Sequence, residues 1–151
     1  AINSIEQLKK LQAGLHAQES VAQNMKLLGY DVVTGNTYEG LFKMLSSKRF
    51  DYLPRRVFEV SNESQYRSTR FPDMVIESTI ALHIPLPVYF FVAPSAPELA
   101  ERIREGLLDM LTDGSYDSIF EEYHKNTINE IDLKNRKIFY NENPALSERY
   151  K

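Results

Sequence analysis

Residues 38–56, YEGLFKMLSSKRFDYLPRR, constrain the fold more than any other stretch of this chain. Tyr38, Leu41, Phe42 and Leu45 recur at the spacing i, i+3, i+4 and i+7, which places them on one apolar face of a helix. Asn36 stands where an N-cap is needed, and Glu39 three residues later completes a capping-box pattern. The helix is expected to end near Ser46 and Ser47. A short β-type run over 50–53 follows, and Pro54 stops it because proline has no N–H to offer a ladder. Arg55 and Arg56 come next. A strand that ends abruptly in charged residues presents them at the rim of an α/β sheet, where ligands bind. The same two residues also read as solvated charges that open the next helix.

Upstream, Ser4 and Gln7 form a capping box for a short helix over SIEQLKK. Residues 11–13 are expected as a strand, with Gly14 turning the backbone sharply after it. A helix over 17–28 carries Val21, Met25 and Leu28 at helical spacing, and Gly29 is its natural stop. This corner, Gly14, Leu15, His16 and Ala17, is a second candidate site, because the free amides and dipole of a helix start attract anions. His16 reads either as a ligand contact or as the surface residue that a lone histidine at a helix start more often is. With 31–34 as the next strand, the order becomes β-α-β-α-β, which implies an α/β fold with a mainly parallel sheet and right-handed crossovers.

Residues 57–63 continue as a helix, and the polar, aperiodic 62–70 read as a loop in which Arg67 and Arg70 are solvated. Ile76, Ser78, Ile80, Leu82 and Ile84 alternate loosely, which suits a strand or strand pair ending at Pro85, with an exposed His83 on the opposite side. Pro85 and Pro87 make a stiff linker. The run 88–92, VYFFV, is the kind of strand that is buried on both faces. Ser95, Pro97 and Glu98 start a helix whose stripe is Leu99, Ile103, Leu107, Met110 and Leu111 and which ends at Asp113 and Gly114. A shorter helix over 116–123 follows. The tail from Lys125 is polar, with Ile128, Ile131, Leu133 and residues 138–140 as its only anchors.

Chemistry is conspicuous mainly by what the pattern excludes. Cysteine is absent and three histidines are scattered, so neither a disulfide frame nor a transition-metal site is expected. Walker, dinucleotide and nucleophile-elbow motifs are missing, and no cofactor or enzymatic activity is expected. A net charge of −3 gives no reason to expect nucleic acid. No stretch has the apolar length of a membrane helix, and AINSIEQLKK lacks the layout of a secretory signal. At 151 residues the chain suffices for one sizeable core, or one lobe plus part of another.

The helix followed by Lys48, Arg49, Phe50, Asp51 and Tyr52 resembles the second lobe of bacterial extracellular solute-binding proteins of family 3. So does the later Pro97-Glu98-Leu99-Ala100, helix, Asp113-Gly114-Ser115-Tyr116 phrase, and the likeness runs from Ser4 to about Tyr123. It implies a three-layer αβα lobe of the type II periplasmic-binding fold over 1–86, with 87–151 returning to a first lobe and ending in a tail. It implies a periplasmic partner of the membrane subunits of an ABC-type uptake system, or else a ligand-sensing domain of a signalling protein on the same fold. The ligand site would take in the Gly14–Ala17 corner, Asp51, and Arg55 or Arg56. Family members place a carboxylate beyond Asp51 where this chain has Pro54, Arg55 and Arg56. A guanidinium there implies a small solute that is anionic or carboxylate-bearing. The 88–92 strand cannot stand alone, so the chain is expected either to pair with a second copy, exchanging the segment beyond Pro87, or to fold 88–111 back onto 74–84.

Overall fold

The computed structural model describes residues 2–146. Helix α1 (Ile5–Leu8) is one turn, capped by the Ser4 hydroxyl, which accepts from the Gln7 amide at 3.3 Å. The Gln7 side chain reaches back to the Asn3 amide at 2.7 Å, so the expected reciprocal cap forms one residue early. Strand β1 (Gln12–His16) pairs in parallel with β2 (Asp31–Gly35), from Gln12 opposite Asp31 to His16 opposite Gly35. On the other edge of β1, Ala13 bridges Tyr52, also in parallel. The order is therefore β2, β1, Tyr52, with α2 (Ser20–Leu27) and α3 (Tyr38–Ser46) making the two connections. The expected parallel β-α-β-α-β unit is present. Its third strand has shrunk to a single bridge, held because the Asp51 and Tyr52 amides both donate to the Gln12 carbonyl and the Gly14 amide donates to the Tyr52 carbonyl.

Gly14 does not turn the chain. It lies inside β1, and a Cβ at that position would sit 2.1 Å from the Phe50 ring. The glycine is needed for close approach of an aromatic ring to a strand, not for an unusual backbone angle. Thr37, not Asn36, caps α3, its hydroxyl accepting from the Gly40 amide at 3.0 Å, and the helix buries Leu41 and Phe42 as its apolar spacing requires. Gly29, at φ +81°, ends α2 as expected.

A second parallel pair joins β3 (Ile80–His83) to β4 (Lys137–Tyr140), with α5 (Pro97–Asp113), α6 (Ser115–Glu130) and a 3₁₀ turn at Leu133–Asn135 between them. Phe139 on β4 is 5% exposed and shares one core with Leu8, Ala13, Leu15, Ala22, Met25 and Tyr30. The Tyr30 hydroxyl donates to Asn141 at 2.9 Å, and Lys137 Nζ to the Asn3 carbonyl at 2.6 Å. The tail thus closes onto the first 86 residues, where it was expected to go with the return segment.

Other expectations fail farther along the chain. Helix α4 (Val60–Arg67) occupies most of the stretch read as a polar loop, although it buries no residue. Ion pairs hold it in place of an apolar stripe, so no apolar period marks it in the sequence. Residues 88–92 form no strand, and Val88, Tyr89, Phe90 and Phe91 are exposed, Phe91 to 96%. β3 pairs with β4 and not with this run, so the fold-back onto 74–84 does not occur. Helices α5 and α6 pack on each other, yet neither buries a residue.

The Gly14 and Phe50 contact yields a coupled prediction. Gly14→Ala is expected to destabilise the chain by about 1–3 kcal/mol through overpacking. In a Phe50→Leu background the same change should cost clearly less, because the ring it strikes is gone. Urea melts of the four proteins measure the coupling; a cost that is equal in both backgrounds would rule out the ring as the cause.

Candidate functional site

Because β1, β2 and Tyr52 run in the same direction, their carboxyl ends share one edge, marked by His16, Gly35 and the residues after Tyr52. The chain leaves β1 for β2 on one side and comes back to Tyr52 on the other. In sheets of this order, ligands bind in the crevice outside the carboxyl ends, between the first and third strands. His16 and Glu19 come to that edge from the loop after β1, Tyr38 from the start of α3, and Arg55 from the segment after Tyr52. Glu59, the N-cap residue just before α4, and Glu63 in its first turn approach the same edge as well.

Arg55 organises these groups. Its side chain is 10% exposed, and its Nε and Nη2 donate to the two oxygens of Glu63, both at 2.7 Å. Nη2 also donates to Glu59 at 2.8 Å, and Nη1 lies 3.7 Å from Glu19. The guanidinium sits over the Tyr38 ring at 4.7 Å, a cation–π contact. Burial opposes the Arg55 charge, but the hydrogen bonds to Glu63 and the charges of Glu63 and Glu59 outweigh it and raise its pKa. The Tyr38 hydroxyl donates to Glu19 at 2.9 Å, and its ring stacks on His16 at 5.1 Å. Burial raises the Tyr38 pKa, and the Glu19 carboxylate adds to the rise.

The helix-start corner is already satisfied from within. The His16 amide donates to Glu19 at 3.4 Å, Ala17 to the Gly35 carbonyl at 2.9 Å, Gln18 to the His16 ring at 3.3 Å, and Glu19 to the His16 carbonyl at 3.1 Å. Residues 16–19 form a tight loop, which is why α2 begins at Ser20 and not at Ala17. The amides of His16 and Ala17 are therefore not free for an anion, and Leu15 is a fully buried strand residue. His16 Nε2 lies 3.0 Å from the Asn36 carbonyl, which ties the ring to the loop before α3.

Asp51 lies at the opposite edge. Its carboxylate accepts from the Gln12 amide at 2.7 Å, at the amino-terminal end of β1, so the parallel sheet separates it from Arg55. Arg56 is 70% exposed and stands 3.6 Å from Glu59, a surface pair. The two arginines, alike in sequence, thus divide into one buried and one solvated. Of the expected set, the sheet edge brings together His16 and Arg55 and leaves Asp51 and Arg56 outside. The carboxylates Glu19, Glu59 and Glu63 were not singled out from the sequence. Glu59 and Glu63, four and eight residues beyond Arg55, were the available signal, since that spacing puts both on one face of a following helix.

No family model matches the chain, and neither a curated protein nor a solved structure shows significant similarity to it.

Removing the Arg55 guanidinium leaves three carboxylates facing one another. Arg55→Ala is expected to cost about 1.5–3 kcal/mol, the range for hydrogen bonds to charged groups. The loss should stop short of a fully buried pair's, because the partner carboxylates are partly exposed and can turn to water. Arg56→Ala should fall within about 0.5 kcal/mol of wild type. Denaturant midpoints of the two variants test the division, and equal losses would contradict it.

Proposed function

We propose that this chain serves as the second lobe, with 87–151 as the return portion of the first, of a two-lobe, extracytoplasmic solute-binding protein of an ABC-type uptake system. On this reading residues 1–86 belong to a three-layer αβα lobe of type II periplasmic-binding form, and the solute is a small molecule bearing a carboxylate. The observation that carries the proposal is the Arg55 guanidinium, held at the carboxyl edge of a parallel sheet between the first and third strands. That is where open α/β sheets bind small ligands. Its planar fork matches a carboxylate in two parallel hydrogen bonds. Tyr38 and His16 add an aromatic wall beside it.

The unburied apolar surface adds support. Val88, Phe90 and Phe91, together with Leu99, Leu108 and Leu111 of α5, face solvent in the isolated chain. A first lobe would cover them, and the two lobes would close over the solute by a hinge motion that ligand contacts stabilise. Delivery to membrane subunits of the transporter would follow from that closure.

Purification under native conditions, followed by denaturation and mass spectrometry of released small molecules, tests the proposal. A carboxylic acid is expected in wild-type protein and should be depleted in Arg55→Ala. Co-purification of an uncharged or purely cationic compound, retained in Arg55→Ala, would remove Arg55 from the site.

A further inference from the structure

The Arg55 fork is already filled, and what fills it is a carboxylate. Glu63 accepts from Nε and Nη2 with both oxygens at 2.7 Å, the side-on geometry a carboxylate ligand would adopt. We propose that Glu63 is an internal stand-in for the solute carboxylate, holding the fork when the crevice is empty and yielding it when a carboxylate-bearing solute arrives, while α4 swings outward about its Arg67 end. This rests on the solute-binding reading given above.

Helix α4 is built to move in this way. It contributes no fully buried side chain, so displacing it uncovers little apolar surface of its own, chiefly that of the half-buried Val60. Its first turn is tied to the sheet edge through Glu59 and Glu63 on Arg55. Its far end is held separately: Arg67 pairs with Glu39 at 2.8 Å and lies over the Phe42 ring at 4.0 Å, and the buried Phe71 stacks on Phe42. Loss of the Arg55 contacts therefore leaves the first turn tethered through the chain before it, where Phe58 packs on Phe120 and His124, and leaves the Arg67 end as a pivot.

The exchange also keeps the guanidinium paired. The solute carboxylate takes the place of Glu63 while Glu59 leaves with the helix, and with Glu19 remaining the buried cation is never left without an anion, which is the costly state. Glu19 and the Tyr38 ring stay on Arg55 throughout and hold the guanidinium at the carboxyl edge of the sheet. A tethered carboxylate competes at high effective concentration, so the free solute binds with reduced apparent affinity.

The test is a ¹⁵N NMR titration of the whole chain with succinate as the carboxylate probe, against sodium chloride at equal ionic strength. Succinate should shift the Arg55 Nε–H resonance of wild type and speed hydrogen exchange across α4, leaving β1 and β2 unchanged. Glu63→Gln should bind succinate at least about tenfold tighter, since an open state populated at ~10% or below lowers apparent affinity by that factor. Equal affinities in the two proteins would overturn the stand-in role but leave carboxylate binding in place. An Arg55 Nε–H that succinate moves in neither protein would overturn both. Should Glu63→Gln fail to fold, wild-type exchange decides: binding of succinate with no faster exchange in α4 refutes the displacement.

Discussion

Everything in the α/β unit depends on β1 being paired along both edges. Its outer neighbours, β2 and Tyr52, run parallel to it, and parallel pairing is possible only if each connection crosses over the sheet. Those crossovers are α2 and α3, whose buried Ala22, Met25, Leu41 and Phe42 leave little room to shift. Gly14 allows the Phe50 ring to lie against the middle of β1, and that ring leads the chain into Tyr52. The Gln12 carbonyl accepts from two successive amides, Asp51 and Tyr52, so the register on that side is fixed by two bonds at one oxygen. With the strands aligned, their carboxyl ends must fall together, and His16, Tyr38 and Arg55 meet as a consequence.

What meets there is a charge network with one cation at its centre. A guanidinium as buried as that of Arg55 persists only if it is paired: Glu63 and Glu59 accept from its Nε and Nη2, and Glu19, from a separate segment, adds its charge 3.7 Å from Nη1. The contacts also join the loop after β1 to α4, which no apolar packing does. Such a link differs in kind from the Phe42 and Phe71 stack at the far end of α4. Ionic partners can be exchanged for others of like charge, whereas a buried aromatic pair has no substitute in water. The two ends of one short helix are thus held by contacts of different reversibility.

The parts of the fold that were legible in the sequence are those written in apolar periodicity and glycine stops, whereas the caps expected at Asn36 and Ser95 fall instead at Thr37 and Ala96. The apolar spacing of α3, the Gly29 stop of α2 and the Gly114 stop of α5 are local signals, and the structure follows them. Helix α4 was not legible because its stabilising partners, Arg55 and Glu39, lie outside it and leave no pattern within it. The role of Gly14 was misread for a related reason: a glycine needed for a turn and one needed for a ring look identical until the ring is placed. At the site, the rim position of Arg55 could be inferred from a strand ending at Pro54. Asp51 could not be excluded, since only the pairing of Gln12 reveals that it caps the other end of the sheet. The pairing of β4 with β3 was hidden by sequence distance, although Phe139 and its neighbours Ile138 and Tyr140 were visible as anchors.

Residues 88–123 raise a different physical question, because the rest of the described fold does not use them to close its core. β3 and β4 pair directly, and Phe139 completes the core, while the chain between them presents apolar side chains to water. The contact of Phe58 with Phe120 and His124 ties α6 back only at its middle. Burying each large apolar side chain is worth about 1.5–3 kcal/mol, so the unclaimed stabilisation in this stretch exceeds what a single ring contact provides. Its form narrows the kind of cover that fits. Val88, Tyr89, Phe90 and Phe91 are four consecutive apolar side chains left exposed, so a cover has to take up more than one side of the run. A helix with one stripe, such as α5, needs a flat apolar surface to lie on. The two-lobe proposal would supply such a cover in the sheet of its first lobe.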